Sequence, residues 1–309
     1  MRFTKMQGIG NDYIYVDAFH ETIDAPAQLA IKIADRHFGV GGDGLILVAP
    51  PTDAGRTQGA QVRMRMFNAD GSESEMCGNG VRCVAKFAFE RGLATGNPLR
   101  VETGRGVLVI ELNLDGAGKV AAATVDMGPP ILEPAEIPAD LQWLAPGQSP
   151  QEFQIVLDAA PPQRSATRST VRKPEPATHG IPATLVSMGN PHAVIFTDNV
   201  AAVDLEKIGP QIENHPAFPR RINVHFVQVV SRQEIIMRTW ERGSGITLAC
   251  GTGASAVCVA GVLRSRTETR ILAHLPGGDL TLDWRRGPDN AGSVLMTGPA
   301  VEVFSGQWP

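Results

Sequence analysis

Two cysteines of this 309-residue chain stand where a thiol could do acid–base chemistry, and the first of them is Cys77. It opens the run CGNG, after which apolar residues recur at helical spacing from Val81 to Phe89, and Gly92 follows as a stop signal. Cys77 is therefore predicted to lie at or just before the first turn of a helix with one buried face. Unpaired backbone N–H groups and the helix dipole favour negative charge there. We expect a lowered thiol pKa and an available thiolate.

The second cysteine comes from a repeat of the same stretch. MRMFNADGSESEMCGNGV, residues 64–81, corresponds to MRTWERGSGITLACGTGASAV, residues 237–257. The offset that carries Cys77 onto Cys250 also carries the Met-Arg pair and both following glycines onto their counterparts. A repeat of this length matches a whole domain rather than a solenoid unit. The pattern predicts one α/β domain that was duplicated and fused, with a cysteine at the same helix N-terminus in each half.

Two equivalent thiols suit one reaction in particular. Inversion of a stereocentre by proton exchange needs an acid and a base on opposite faces of one carbon. A duplicated domain closing on itself would place Cys77 and Cys250 across a pseudo-twofold axis, one as thiolate and the other as thiol, with roles that reverse with the hand of the substrate. The backbone N–H groups that follow each cysteine could hold a substrate carboxylate and stabilise the carbanion. For either cysteine alone, a buried structural thiol would be the ordinary interpretation.

Composition and charge exclude several other classes of protein. A net charge of −4 provides no basic surface for nucleic acid or for an anionic membrane. No apolar run approaches the length that crosses a bilayer, and the N-terminus reads as a strand and a turn, so a cytoplasmic location is expected. The cysteine spacings match no zinc ribbon or CxxC motif. Cys83 and Cys258 lie among apolar neighbours and are predicted to be core residues.

The chain order of predicted elements supports two α/β halves. Strands are expected at RFTKMQ, YIYVDAF, LILVAP, VRMRMF, TLVSMGN, RRINVHFVQVV and EIIMRTWERG, with a hairpin joining LRVET to VLVIEL. A helix is predicted from Ala27 to Phe38, ended by Gly39. Residues 139–180 are rich in Pro, Ala, Gln, Ser and Thr and are interpreted as a loop-rich insertion in which QEFQIVLD could be a strand.

For a few polar residues beside the glycines, the sequence is compatible with either a structural or a functional role. Asn11 and Asn68 have the ordinary interpretation of turn asparagines. His192, two residues after a duplicated Gly-Asn, could be structural or part of a site. Glu241-Arg242 could be a solvated pair at a strand end, but Glu241 takes the place of Asn68 in the repeat. A carboxylate beside a guanidinium would suit an amino acid's ammonium and carboxylate groups.

The motifs together resemble the diaminopimelate epimerase family of cofactor-independent two-cysteine racemases. GxGNDY, FNADGSExExCGNGxR, GNPH, RxN and ERGxGxTxACGTG occur in that family's order, nearly end to end. The resemblance implies an α+β fold of two duplicated, pseudo-twofold-related domains, each a mixed β-sheet wrapped around a central helix. It implies domains at 1–125 plus 297–309 and at 126–296, with a C-terminal strand around Glu302 returning to the first. It further implies interconversion of LL- and meso-2,6-diaminopimelate, a homodimer, and no cofactor, pyridoxal phosphate or metal.

The resemblance also assigns roles residue by residue. Cys77 and Cys250 match the acid–base pair, and His192 and Glu241 match residues that manage thiol protonation. The carboxylate cradle corresponds to Gly78, Asn79, Gly251 and Thr252. The groups that hold the remaining ammonium and carboxylate groups correspond to Asn11, Asn68, Asn190, Asn223, Glu241 and Arg242. One position departs from the pattern, because Gly44 stands where many members carry Gln.

Three other functions compete with this interpretation. A racemase of another amino acid on the same scaffold would need no clamp for a distal carboxylate, so Arg242 argues against it. A thiol–disulfide redox protein should show CxxC, which is absent. A non-catalytic binding module would be indicated by loss of one of the two cysteines, and both are present.

Overall fold

The structure is a computed structural model that describes residues 1–147, 151–157 and 180–309. Most of the predicted loop-rich insertion at 139–180 lies outside the described residues. Within it, the expected strand is present at Glu152–Ile155.

The described chain consists mainly of strands with five α-helices among them. In chain order the elements are β1 Arg2–Gly8, β2 Asn11–Asp17, α1 Pro26–Ala34, β3 Gly44–Ala49, α2 Asp53–Thr57, β4 Val62–Asn68, β5 Glu73–Ser74, α3 Gly78–Glu90, β6 Leu99–Thr103, β7 Gly106–Leu114, β8 Val120–Asp126, β9 Leu144–Pro146, β10 Glu152–Ile155, β11 Ile181–Ser187, β12 Pro191–Phe196, α4 Leu205–Glu213, β13 Asn223–Ser231, β14 Glu234–Glu241, β15 Gly245–Thr247, α5 Gly251–Leu263, β16 Arg270–Leu275, β17 Gly278–Trp284, β18 Val294–Pro299 and β19 Val301–Gln307.

The chain divides into two compact units. Unit 1 comprises Met1–Met127, Gly277–Leu280 and Leu295–Pro309, and unit 2 comprises Gly128–Pro276 and Thr281–Val294. The boundaries expected from the sequence stay a prediction about independently folding domains.

Unit 1 is a mixed sheet that curls around α3. Its strands pair in the order β19-β1-β2-β3-β4-β6-β7-β8-β18, with parallel pairs at β2–β3 and β4–β6. The central helix α3 contacts β1 to β4 and β6 to β8, while α1 packs over a separate cluster that includes Ile14, Leu45 and Phe67. The sheet therefore has apolar side chains on both faces, which explains why its strands read as nearly continuous hydrophobic runs.

Unit 2 repeats this arrangement around α5. β11 pairs antiparallel with β12, β12 parallel with β13, β13 antiparallel with β14, and β14 parallel with β16. The same four relationships hold for β1, β2, β3, β4 and β6, and each unit has a short strand just before its cysteine helix. The predicted α+β fold, with a mixed sheet around a central helix in each half, is confirmed.

Two helices differ from the sequence prediction. The first helix ends at Ala34, four residues before the predicted end, because the Asp35 carboxylate accepts hydrogen bonds from the backbone N–H groups of His37 (2.7 Å) and Phe38 (2.8 Å) and turns the chain. The prediction of a single buried face on α3 is also wrong. Only Lys86, Phe89 and Glu90 of that helix escape full burial, since the sheet surrounds it.

Several smaller expectations are confirmed. Gly92 has a φ of +70° just after α3, as expected for a helix stop signal. Cys83 and Cys258 are fully buried, and burial raises the pKa of the Cys83 thiol to about 11 and that of Cys258 to about 12. Both thiols are therefore protonated core residues. The C-terminal strand β19 pairs with β1, in unit 1.

In this chain the backbone conformation at position 44 requires glycine, whatever side chain other family members carry there. Its φ is +155°, and an added Cβ would lie 2.0 Å from the carbonyl oxygen of Phe67 on the neighbouring strand. We expect Gly44→Ala to lower the free energy of unfolding by about 1–3 kcal/mol, because a rigid backbone atom must move.

Chemical denaturation measures that change. Gly116→Ala is the matched control, since an added Cβ there meets nothing within 4 Å, and its effect should stay within about 0.5 kcal/mol. Equal free energies of unfolding for the two variants would show that β3 and β4 can shift enough to accommodate a side chain at position 44.

Candidate active site

In unit 1 the site forms around the N-terminus of α3, where Cys77 is the N-cap residue. Its sulfur accepts a hydrogen bond from the Gly80 N–H (3.3 Å) and its thiol donates to the side-chain oxygen of Asn11 (3.1 Å). Asn11 in turn donates its amide to Asp43 (2.7 Å), which fixes the carbonyl toward the sulfur. The Cys77 side chain is thus half-buried and oriented by two partners, one on each side of the sulfur.

Asn11 is held in this position by the two-residue turn between β1 and β2. Ile9 and Gly10 both have positive φ (49° and 83°), the signature of a two-residue turn between antiparallel strands. Arg36 bridges the carboxylates of Asp12 (2.7 Å) and Asp43 (2.9 Å), so the turn is fixed by charge as well.

The cradle residues behind Cys77 are fixed by a buried arginine. Arg82 is fully buried and donates to the Asn79 side-chain oxygen (3.0 Å) and to the Gly78 carbonyl (3.2 Å). The Asn79 side-chain oxygen is thereby engaged, and the backbone N–H groups of the first turn can serve as donors for a ligand. Gly78 has no room for a side chain without displacing Met296, whose methyl group lies 3.0 Å from an added Cβ.

Asn68 has the turn role that was its ordinary interpretation. Its side-chain amide donates to the Ser72 hydroxyl (3.0 Å), and its backbone N–H donates to the Ser72 carbonyl (2.9 Å). A substrate contact for Asn68 stays a prediction.

In unit 2 Cys250 is the N-cap residue of α5 and is more deeply buried, with 5 % of its surface exposed. Burial raises the pKa of its thiol well above the ordinary value, and the Glu241 carboxylate raises that pKa further by charge and by accepting the thiol hydrogen bond. The lowered pKa that a helix N-terminus alone favours is therefore not found at Cys250, and the lowered pKa expected of Cys77 stays a prediction. The helix terminus contributes less than the cost of burying a thiolate beside a carboxylate.

Polar residues surround Cys250 on both sides. Glu241 is held by the Thr247 hydroxyl (2.6 Å). The Thr252 hydroxyl lies 3.7 Å from the sulfur and receives a hydrogen bond from the Asn190 amide (3.3 Å). Cys250 is thus placed between a base that can take its proton and a hydroxyl that can stabilise the resulting thiolate.

His192 does not reach the sulfur directly. It is fully buried and its ring bonds Asn190 (3.0 Å) and His225 (2.9 Å). Burial lowers the pKa of His192 well below its ordinary value, with His225 and Arg242 adding to that effect. His192 is neutral at physiological pH, so a direct role in protonating Cys250 stays a prediction.

Asn223 and Arg242 form a second group in unit 2. Asn223 is buried and uses its amide to donate to the Pro191 carbonyl (2.9 Å) and to accept from the Arg242 backbone N–H (3.1 Å). The Arg242 guanidinium donates to the Arg220 carbonyl (3.1 Å). No carboxylate of the described residues lies within 4.0 Å of it, which leaves most of its donors for a ligand.

The sequence patterns missed several residues that the structure places in these groups. They are Asp43, Arg82, Thr247 and His225. The usable signals were weak: an aspartate between glycines, an arginine inside an enclosed helix, and a histidine within the apolar run of β13. Across the parts of the chain that are described, no cluster of three His, Cys, Asp or Glu residues could hold a metal ion. None of the described helices has the length and apolarity of a membrane span.

Solved structures of similar fold include a probable proline racemase from Agrobacterium radiobacter K84, with a TM-score of 0.63 and 14% identity over 100% of this chain and 92% of that one. A hydroxyproline epimerase from Agrobacterium vitis has a TM-score of 0.62 and 16% identity over 99% of this chain and 91% of that one. The fold is thus of the type found in these proline racemase-like proteins.

Sequence relatives are far closer. The family model described as diaminopimelate epimerase matches residues 3–133 and 184–303. Relatives named diaminopimelate epimerase from Acetivibrio thermocellus and Desulfovibrio desulfuricans are each 48% identical, covering 99% and 100% of this chain and 98% of each relative. The chain belongs to the diaminopimelate epimerase family.

Proposed function

We propose that this chain is an isomerase that interconverts LL-2,6-diaminopimelate and meso-2,6-diaminopimelate by exchanging the proton on one α-carbon. Such a reaction belongs to the synthesis of lysine and of peptidoglycan precursors. One observation supports the proposal above others: a cysteine is the N-cap of the central helix in each unit, within a chain 48% identical to full-length epimerases.

The chemistry follows from the surroundings of each thiol. The Cys250 proton passes to the Glu241 carboxylate, and the resulting thiolate removes the α-proton of the substrate. Cys77, held as a thiol by Asn11, gives its proton to the opposite face of the same carbon. The step leaves Cys250 as a thiol, Cys77 as a thiolate and the first proton on Glu241, so in the reverse direction the Cys77 thiolate removes the α-proton and the Cys250 thiol gives one. Glu241 rather than His192 is assigned the thiol proton because Glu241 accepts the Cys250 hydrogen bond, whereas both ring nitrogens of His192 bond Asn190 and His225.

The carbanion between these two steps needs stabilisation. The first-turn N–H groups of α3 and α5, at Gly78, Asn79, Gly251 and Thr252, are unpaired within their helices and lie at positive dipole ends. We assign the carboxylate of the reacting centre to them, since donors fixed in advance cost no reorganisation when charge develops. No cofactor is needed to delocalise the charge in this scheme.

The distal end of the substrate is assigned to the second group in unit 2. Arg242 takes the distal carboxylate, with Asn190, Asn223, Asn11 and Asn68 completing the polar surroundings as the family resemblance implies. Arg242 suits the task because its guanidinium is fixed by one backbone carbonyl and has no carboxylate partner among the described residues.

A deuterium-exchange experiment tests the function. Metal-free protein without pyridoxal phosphate is incubated with LL-diaminopimelate in deuterated water, and products are read by NMR and chiral chromatography. We expect the meso isomer with one deuterium at the inverted α-carbon. A strict requirement for a divalent ion or for pyridoxal phosphate would contradict the proposal, as would inversion without deuterium.

A homodimer and a cytoplasmic location complete the proposal. Strand β19 pairs with β1 and presents Val301, Val303 and Phe304 to solvent, each 40% or more exposed. An apolar strand surface of this kind favours burial against a second copy. Light scattering after size exclusion should give twice the monomer mass, and Phe304→Glu should reduce it; a monomeric wild-type protein would refute the dimer.

A further inference from the structure

Unit 2 contains a buried polar network that unit 1 lacks at the corresponding place. Under the first turn of α3, an added Cβ on Gly80 would lie 3.0 Å from Ile46 and 3.1 Å from Met64, both apolar. Under the first turn of α5, an added Cβ on Gly253 would lie 2.2 Å from the His225 ring. The fold therefore accepts an apolar support beneath a cysteine helix, and the histidine in unit 2 needs another explanation.

His225 is part of a chain of hydrogen bonds that ends at Cys250. Its Nδ1 lies 2.9 Å from the Thr239 hydroxyl, and its Nε2 lies 2.9 Å from Nδ1 of His192. His192 Nε2 lies 3.0 Å from the Asn190 side-chain oxygen. The Asn190 amide donates to the Thr252 hydroxyl, which lies 3.7 Å from the Cys250 sulfur.

The Asn190 side-chain oxygen determines which atom donates in each hydrogen bond of this network. The Asn190 oxygen can only accept, so His192 carries its proton on Nε2. Burial lowers the pKa of both histidines, that of His225 to about 3, so each ring is neutral and has one bare nitrogen. His192 Nδ1 must then accept from His225 Nε2–H, and His225 Nδ1 must accept from the Thr239 hydroxyl.

The donors and acceptors at the Cys250 end of the hydrogen-bond network can be assigned in the same way. Because the Thr252 oxygen already accepts from the Asn190 amide, its own hydrogen can be directed at the Cys250 sulfur. A hydroxyl that donates to sulfur favours the thiolate over the thiol. On its other side Cys250 has Glu241, which accepts the thiol proton. Loss of the proton to Glu241 would thus leave the thiolate facing a donor that was already aligned.

We propose that His225 is a positioning residue for the proposed epimerase reaction: its Nε2–H holds Nδ1 of His192, and His192 in turn holds the Asn190 side chain so that the Thr252 hydroxyl is directed at Cys250. His225 touches neither the substrate nor the sulfur in this scheme. It acts by orienting the hydrogen-bond donors of the buried network that ends at Cys250. The inference rests on the proposed function only for its effect on rate.

The test combines two readouts on the full chain. Long-range ¹H–¹⁵N NMR with histidine-labelled protein should show His192 in the Nε2–H tautomer in the wild type. His225→Phe keeps the ring but loses both nitrogens, and should lower kcat about tenfold with KM changed less than about twofold, the size of one lost hydrogen bond. His225→Gln retains a donor near the position of Nε2 and should restore kcat to within about threefold.

His215→Gln is the matched control, since His215 is a buried histidine of unit 2 whose ring bonds the Val156 carbonyl (3.1 Å) instead. It should leave both kcat and the His192 signals unchanged. An Nδ1–H tautomer of His192 in the wild type would overturn the proposal, as would an unchanged kcat in His225→Phe. The tautomer is measured without substrate, so it decides the matter if His225→Phe fails to fold, and an inactive wild type would refute the epimerase function alone.

Discussion

Cys77→Ala and Cys250→Ala should each lower kcat for epimerisation by about 10³-fold or more, because each variant lacks the proton carrier for one face of the α-carbon. The two cysteines occupy the same N-cap position on α3 and α5 but have different partners, an asparagine oxygen for Cys77 and a carboxylate for Cys250. Their losses should therefore be of similar size and should not add in the double variant, since both thiols serve one reaction. Chiral chromatography of LL- and meso-diaminopimelate measures the effect.

The chain provides its own controls for this experiment. Cys83 and Cys258 lie on the same two helices but are fully buried inside them, and burial raises their thiol pKa values to about 11 and about 12. Cys83→Ala and Cys258→Ala should retain kcat and lose on the order of 1 kcal/mol of stability. If either Cys77→Ala or Cys250→Ala turned over at the wild-type rate, the two-base assignment would be wrong.

The positions of the two cysteines proposed to be catalytic could be predicted because their signals are local. A cysteine followed by Gly-x-Gly and an apolar stripe marks a helix start in any context, and the duplication doubled that signal at Cys250. The positions of strands along the chain could be predicted for the same reason, since each half has turns and apolar runs of local origin, but their order in the sheet was not predicted. The early end of the first helix was not predicted, because it depends on a single side-chain acceptor. The Asp35 carboxylate competes with the helix for backbone N–H groups.

The protonation state of the thiols could not be predicted from the spacing of residues in the sequence. A helix N-terminus argues for a lowered pKa, but burial and a neighbouring carboxylate act on Cys250 in the opposite direction and are larger. Only the tertiary structure reveals this, because β12 and β13 pack against α5 and Glu241, at the end of β14, interacts with Cys250. Fully buried Arg82 is a similar case, since nothing in its local sequence indicates that a charged residue holds the cradle.

Arg242 has no acidic partner within 4.0 Å among the described residues, and we proposed above that it binds the distal carboxylate of the substrate. Burial lowers the pKa of Arg242, and the neighbouring Arg220 and Arg221 lower it further, so positive charge is concentrated where a distal carboxylate would bind. Arg221 is already paired with Glu213 (3.1 Å), whereas Arg242 donates only to a backbone carbonyl. A partly buried guanidinium of this kind gains most from a substrate anion.

Arg242→Met should therefore lower kcat/KM for diaminopimelate by about 2–5 kcal/mol of transition-state stabilisation, the range for breaking a buried charge pair. Arg220→Met removes the same charge from an exposed side chain nearby and should change kcat/KM by less than about threefold, the size expected of a surface charge. The wild type should barely act on lysine, which lacks the distal carboxylate and would leave Arg242 unpaired. Steady-state kinetics on both amino acids measure these differences. Comparable kcat/KM values for lysine and diaminopimelate would show that Arg242 does not discriminate between them, and the enzyme would then act as a broader amino-acid racemase.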